Sequence, residues 1–197
     1  DDRWPQTDLL LQVGSDDVMT VSHAVRVLSR QARSFVAPVW VQRGFVRSRG
    51  SVADGTTPRN LLGQVDGTSN PVPGSEDMSR TVWAAEGPSW WRGGTMLVLR
   101  RIRMDLDGWE KLGRPDRELV VGRRLSDGSP LSGGGEHAPI DLEEVGPDGL
   151  LVVPELAHVR QAKARVASER MLRRGYTYDD SPGVGSVGDA GLLFAAY

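Results

Sequence analysis

Cysteine is absent from the 197-residue chain, which excludes disulfides, thiolate metal sites and a catalytic thiol. That absence suits a reducing cytoplasm and export alike, so the compartment stays open. Lysine is nearly missing too: among 24 basic side chains only Lys111 and Lys163 are not arginine. No contiguous basic stripe occurs, and 26 acidic residues bring the net charge to −2, so the footprint of a nucleic-acid binder is lacking. Apolar runs are short, and none approaches the roughly 20 residues of a membrane-crossing helix. The opening Asp1-Asp2-Arg3-Trp4-Pro5 does not read as a signal peptide. Histidine is scarce, with three in all, so each imidazole can be weighed by itself.

Hydrophobic residues at 39% and charged residues at 25% are ordinary for a globular chain, and the length suits one large domain or two small ones. Leu9 to Val13 is a short apolar run between Asp8 and Gly14 and reads as a buried strand. Asp16 or Asp17 can cap a following helix in which Val18, Val21, Val25, Leu28 and Ala32 recur at helical spacing. Val36 to Phe45 reads as a second strand, and a Gly- and Ser-rich loop from Ser48 to Thr57 closes this segment. Pro58 to Gly94 is loop-rich and aromatic. A third strand is expected over Thr95 to Met104. Asp105 or Asp107 can cap a helix through Trp109 and Leu112, and Pro115 opens another helical piece to about Arg124. A long polar, Gly-rich excursion then runs over 126–190, and Gly191 to Tyr197 reads as the last strand. Without its excursions the order is β-α-β-β-α-β, the α+β ferredoxin-like or split β-α-β arrangement. A strand pattern starts almost at Asp8 and another is still running at Tyr197, so the chain reads as cut at both ends.

Three groups of residues could carry chemistry. His158 follows the apolar run Leu150 to Val153 and leads into Val159-Arg160; its imidazole is either a structural side chain or a metal ligand. His23 lies in the first helix and His137 in a polar glycine loop, which suits surface roles. Asp66 sits in Gly63-x-x-Asp66-Gly67, where glycines let the backbone approach a flat partner and leave the carboxylate unshielded; a plain Asp-Gly turn accounts for it as well. Arg173-Arg174-Gly175-Tyr176 follows the helical-looking Ser168 to Leu172. An arginine there could stabilise charge developing on an oxygen, or simply complement a helix end.

Together these segments resemble the DyP-type (dye-decolorizing) haem peroxidases. Arg59-Asn60-Leu61-Leu62-Gly63-Gln64-Val65-Asp66-Gly67-Thr68-Ser69-Asn70-Pro71 resembles the family's extended GxxDG signature. Ala157-His158-Val159-Arg160 resembles its proximal-histidine segment. Met171 to Tyr178 with Gly191 to Phe194 resembles its terminal portion, and the matches fall in the family's order. The resemblance implies a haem b peroxidase built of two ferredoxin-like halves. This chain would be the haem-bearing C-terminal half, and the missing N-terminal half would complete it. By the same resemblance His158 is the proximal iron ligand, Asp66 the distal acid and Arg173 the distal arginine. Gly67, Thr68 and Ser69 would run beside the haem. Arg174 is the neighbour that could be exchanged for Arg173.

The implied substrates are hydrogen peroxide and a dye or other small-molecule electron donor, with surface Trp or Tyr as electron relays. The resemblance is to bacterial members often exported by the twin-arginine route, which favours a place outside the cytoplasm. A homo-oligomer is left open. The chain departs from the family pattern between His158 and Arg173, an interval a few residues short and without the common proline. The competing expectation is a haem-binding or iron-release protein of the same fold without peroxidase turnover. It would have no need of an acid and an arginine above the iron.

Overall fold

The computed structural model describes residues 3–180 and 188–197. They fall into two compact units, one from the chain's start to Arg43 with Arg47–Asp54, the other Gly44–Val46 with Gly55–Tyr197.

The first unit carries one helix, α1 (Val18–Ala32). Asp17, the second of the two candidate caps, accepts from the Met19 and Thr20 amides at 3.2 and 2.8 Å. Those amides belong to the first turn, which has no intrahelical acceptors for them. The Thr20 hydroxyl adds a third bond, and together they hold the Asp17 carboxyl below its ordinary value. The strand expected at Leu9 to Val13 does not form: these residues join no ladder, and Leu9 and Leu11 are exposed. Of Val36 to Phe45 only Phe45 pairs, and Val39 and Val41 are exposed. The apolar period was there in both runs. A strand also needs a neighbour for its N–H and C=O groups, and the described residues supply none.

In the second unit the helices are α2 (Glu76–Val82), α3 (Leu106–Glu110), α4 (Arg114–Val121) and α5 (His158–Gln161). Its strands β1 (Val98–Arg103), β2 (Tyr176–Asp180) and β3 (Asp189–Ala196) form an antiparallel sheet in the order β1-β3-β2. The α+β class holds, and the arrangement is consistent with a ferredoxin-like half. The central β3 is the apolar run read from the sequence, and its Leu193, Ala195 and Ala196 are buried. Phe45 joins this sheet through reciprocal 2.8 Å bonds with Thr177.

Strand β2 lies inside the stretch expected to be a strandless excursion; residues 181–187 of that stretch lie outside the described residues. Its polar sequence, Tyr-Thr-Tyr-Asp-Asp, conceals it. The support is tertiary: Arg101 of β1 donates to Asp180 at 3.0 Å and to Asp189 at 2.9 Å, and its guanidinium lies 3.8 Å from the ring centre of buried Tyr178.

Helix boundaries follow local chemistry. Asp105 caps α3 through the Gly108 amide at 3.0 Å. Pro115 falls in the first turn of α4 as expected, but the helix ends before Arg124, because Gly122 adopts φ 87°. That glycine is doubly required. A Cβ there would be strained by the left-handed backbone and would meet Val159 Cγ2 at 2.4 Å. The loop region also contains an unexpected helix, α2, capped by Ser75 through the Met78 amide. Ser168 to Leu172 is not an α-helix: a 3₁₀ turn covers Ala167–Glu169, and Arg170 is already extended.

Candidate active site

The Gly63-x-x-Asp66-Gly67 segment is a folded loop with its own frame. Asn60 Oδ1 accepts from the Leu62 and Gln64 amides at 3.0 and 3.3 Å, an Asx-type closure of the kind that makes asparagine a turn residue. Arg59 pairs with Val65, and the Asp66 amide donates to Pro58 O at 2.8 Å. Gly67 follows at φ 133°, a conformation closed to side chains with a Cβ.

Contacts distant in sequence fix this loop to the rest of the unit. The Arg59 guanidinium donates to Gly63 O and Leu125 O at 2.7 Å and to Ser126 O at 2.8 Å. Trp109 Nε1 of α3 donates to Leu62 O at 3.1 Å. Glu136 Oε1 accepts from the Thr57 and Thr68 hydroxyls at 2.5 and 2.9 Å. The Thr57 bond first, and the Thr68 bond with it, hold the Glu136 carboxyl below the ordinary value, outweighing desolvation. Arg123 donates to Gly128 O at 2.6 Å and to Glu136 O at 2.9 Å. Burial pushes its pKa down, and the Arg173 charge pushes the same way.

This frame brings Asp66 and Arg173 together: Arg173 Nη1 is 3.4 Å from Asp66 Oδ1. Asn60 Nδ2 donates to the other carboxylate oxygen at 3.3 Å. Both partners are about a third exposed (33% and 30%), so the pair is open to an incoming small molecule. Arg173 reaches this position from an extension of β2 that bridges to Ala196, while the Arg174 amide bonds Ala195 O. Consecutive side chains on an extended segment point to opposite sides. Arg173 therefore meets Asp66, and Arg174 is exposed.

The other expected site residues are placed less uniformly. Thr68 turns its hydroxyl to Glu136, and Ser69 is exposed. His158 begins α5 and is exposed; its carbonyl accepts from the Ala162 amide at 2.9 Å, while its imidazole makes no hydrogen bond among the described residues. Its backbone is well fixed. Arg160 donates to Val153 O at 2.9 Å and to Leu142 O, and buried Val153 and Ala157 pack beside Gly122. No hydrogen bond or ion pair joins His158 to Asp66 or Arg173 among the described residues. An uncommitted imidazole on a fixed backbone has the chemistry of a haem-iron ligand, and the partly exposed acid–arginine pair fits an oxygen substrate.

Sequence reasoning passed over Asn70, Glu136 and Arg123. Asn70 was inside the signature and readable only as an Asn-Pro turn. Glu136 and Arg123 carry no local signal, since their partners are tertiary.

A family model described as Dyp-type peroxidase, C-terminal, matches residues 57–197. The chain is 44% identical over 201 residues to a dye-decolorizing peroxidase from Thermobifida fusca, covering 99% of this chain and 47% of that protein. It is 34% identical over 200 residues to a deferrochelatase from Yersinia pestis, covering 96% of this chain and 45% of the relative. The structure of a DyP-type peroxidase from Cellulomonas bogoriensis superposes with a TM-score of 0.93 at 46% identity, over 100% of this chain and 55% of that one. The chain thus spans about half the length of the curated relatives it matches.

Proposed function

The chain belongs to the DyP-type peroxidase family, and on that premise we propose that the whole protein is a haem peroxidase. It would reduce hydrogen peroxide and oxidise dyes or other bulky donors, with this chain as its haem-bearing C-terminal half. The observation that carries the reading is the 3.4 Å contact of Arg173 with Asp66, two groups of complementary charge, each about a third exposed, drawn from separate segments.

His158 would hold the iron through its exposed imidazole, with Gly67, Thr68 and Ser69 flanking the group. Haem b, when bound, would supply the iron that takes up peroxide and the two electrons consumed as the O–O bond breaks. Asp66 Oδ1 or Oδ2 accepts the proton of the inner peroxide oxygen and returns it to the outer one, so that water can leave. Asn60 keeps that carboxylate oriented between the two transfers. The Arg173 guanidinium stabilises the negative charge that builds on oxygen as the O–O bond parts. Trp90 and Trp83 are exposed indole surfaces at which a bulky donor could give up an electron. A location outside the cytoplasm, reached by the twin-arginine route, rests on the family resemblance alone.

The deferrochelatase relative supports a second reading, iron release from haem without peroxidase turnover. The Asp66–Arg173 pair favours the first reading, because a haem carrier gains nothing from it. The test is spectroscopic. The haem-loaded whole protein should show a Soret band that His158→Ala diminishes or shifts, and peroxide should change it within the mixing time. A normal spectrum in His158→Ala would remove the ligand assignment. A spectrum indifferent to peroxide would favour the carrier.

A further inference from the structure

We propose that Asn70 is the positioning residue that sets Arg173 opposite Asp66, an inference that rests on the peroxide reading above. Leu172 exchanges two backbone bonds with Tyr197, both 2.9 Å, and the Arg174 amide donates to Ala195 O at 2.8 Å. In such a ladder the N–H and C=O of the residue between, Arg173, point away from β3 toward the open edge. Asn70 takes up both. Its Oδ1 accepts from the Arg173 amide at 2.9 Å, and its Nδ2 donates to the Arg173 carbonyl at 2.7 Å. A primary carboxamide reproduces there the two-point pattern of a neighbouring strand. The amide's orientation follows from its partners, since the flipped form would set donor against donor and acceptor against acceptor.

Asn70 also belongs to the loop that carries Asp66. Its amide closes a turn onto Gly67 O at 3.0 Å, and Pro71 behind it is buried. One short segment thus presents the carboxylate at Asp66 and grips the backbone of that carboxylate's partner four residues later. The side-chain contact cannot set this register. At 3.4 Å, with both groups about a third exposed, it is an ion pair of the weak surface kind. The two backbone bonds, at 2.9 and 2.7 Å, are shorter, and they define where the arginine begins.

The proposal is tested in the haem-loaded whole protein by residue-resolved hydrogen exchange and stopped-flow mixing with peroxide. In Asn70→Ala the Arg173 amide should exchange about tenfold faster, the factor one net hydrogen bond commands, while the Arg174 and Thr177 amides keep their protection. The bimolecular peroxide rate should fall about 10- to 100-fold, as for a misplaced catalytic group. It should fall no further when Asn70→Ala is added to Arg173→Leu. Asn70→Ser, too short to span both backbone groups, should give the same pattern if the alanine variant folds poorly. Unchanged Arg173 exchange overturns the proposal, and so does an equal rate loss in the Arg173→Leu background. A wild-type protein inert to peroxide would sink the peroxidase reading instead, and the Arg173 amide would still decide whether Asn70 is the pin.

Discussion

Arg173 Nη1 lies 3.4 Å from Asp66 Oδ1 across a sequence separation of 107 residues. The carboxylate comes from a glycine-flanked loop braced by Arg59, Asn60 and Glu136, and the guanidinium from the continuation of β2 beside the central strand. Neither element would bring its side chain there alone. The sheet carries one partner, and the long-range contacts of the loop hold the other against it.

Glu136 should make the loop's stability depend on acid. Its carboxyl is held below the ordinary value by the Thr57 and Thr68 hydroxyls. A group depressed on folding contributes stability above its unfolded pKa and loses it as pH falls through the folded one. Urea unfolding of Glu136→Gln should therefore show a loss of about 1 kcal/mol near neutrality, shrinking below the normal carboxylate range. A difference that stays constant into acid would remove Glu136 from this role.

Gly122→Ala should destabilise the second unit by about 1–3 kcal/mol, because φ 87° strains any residue with a Cβ and the added atom meets Val159 Cγ2 at 2.4 Å. Relief requires the segment bearing His158 to move. Thermal unfolding should thus fall together with haem retention in the whole protein. A stability loss with unchanged haem retention would mean that the α4–α5 packing does not position His158.

Arg101→Leu should loosen the sheet edge by removing the cation held between Asp180, Asp189 and the Tyr178 ring. Both carboxylates would then lose a charged hydrogen-bond donor, at a cost of about 1–3 kcal/mol for these partly buried groups. The adjacent Tyr178 and Asp180 amides should exchange faster than those of Arg174 and Thr177. Equal acceleration at all four would point to global rather than local opening.

Much of this was legible in the residues, for reasons that differ by element. The α1 cap, the start of α4 and the central β3 announce themselves because Asp17, Pro115 and the run from Gly191 act locally. Asp66, His158 and Arg173 became candidates through motif order, since each alone also fits a turn, a structural imidazole or a helix end. Strand β2 was hidden because its stabilising partner, Arg101, sits on another strand. Leu9 to Val13 misled in the opposite sense: its apolar run promised a strand, and pairing, which no run encodes by itself, did not follow. Asn70 lay in plain view, but its value comes from the Arg173 backbone 103 positions away.

The most direct measurement is the peroxide reaction of the haem-loaded whole protein beside its Asp66→Asn and Arg173→Leu variants, followed by stopped flow and by dye oxidation. The account predicts a fall of about 10²- to 10⁴-fold without the proton carrier and about 10²- to 10³-fold without the charge stabiliser, each with haem still bound. Peroxide-dependent dye oxidation that survives both substitutions would contradict it.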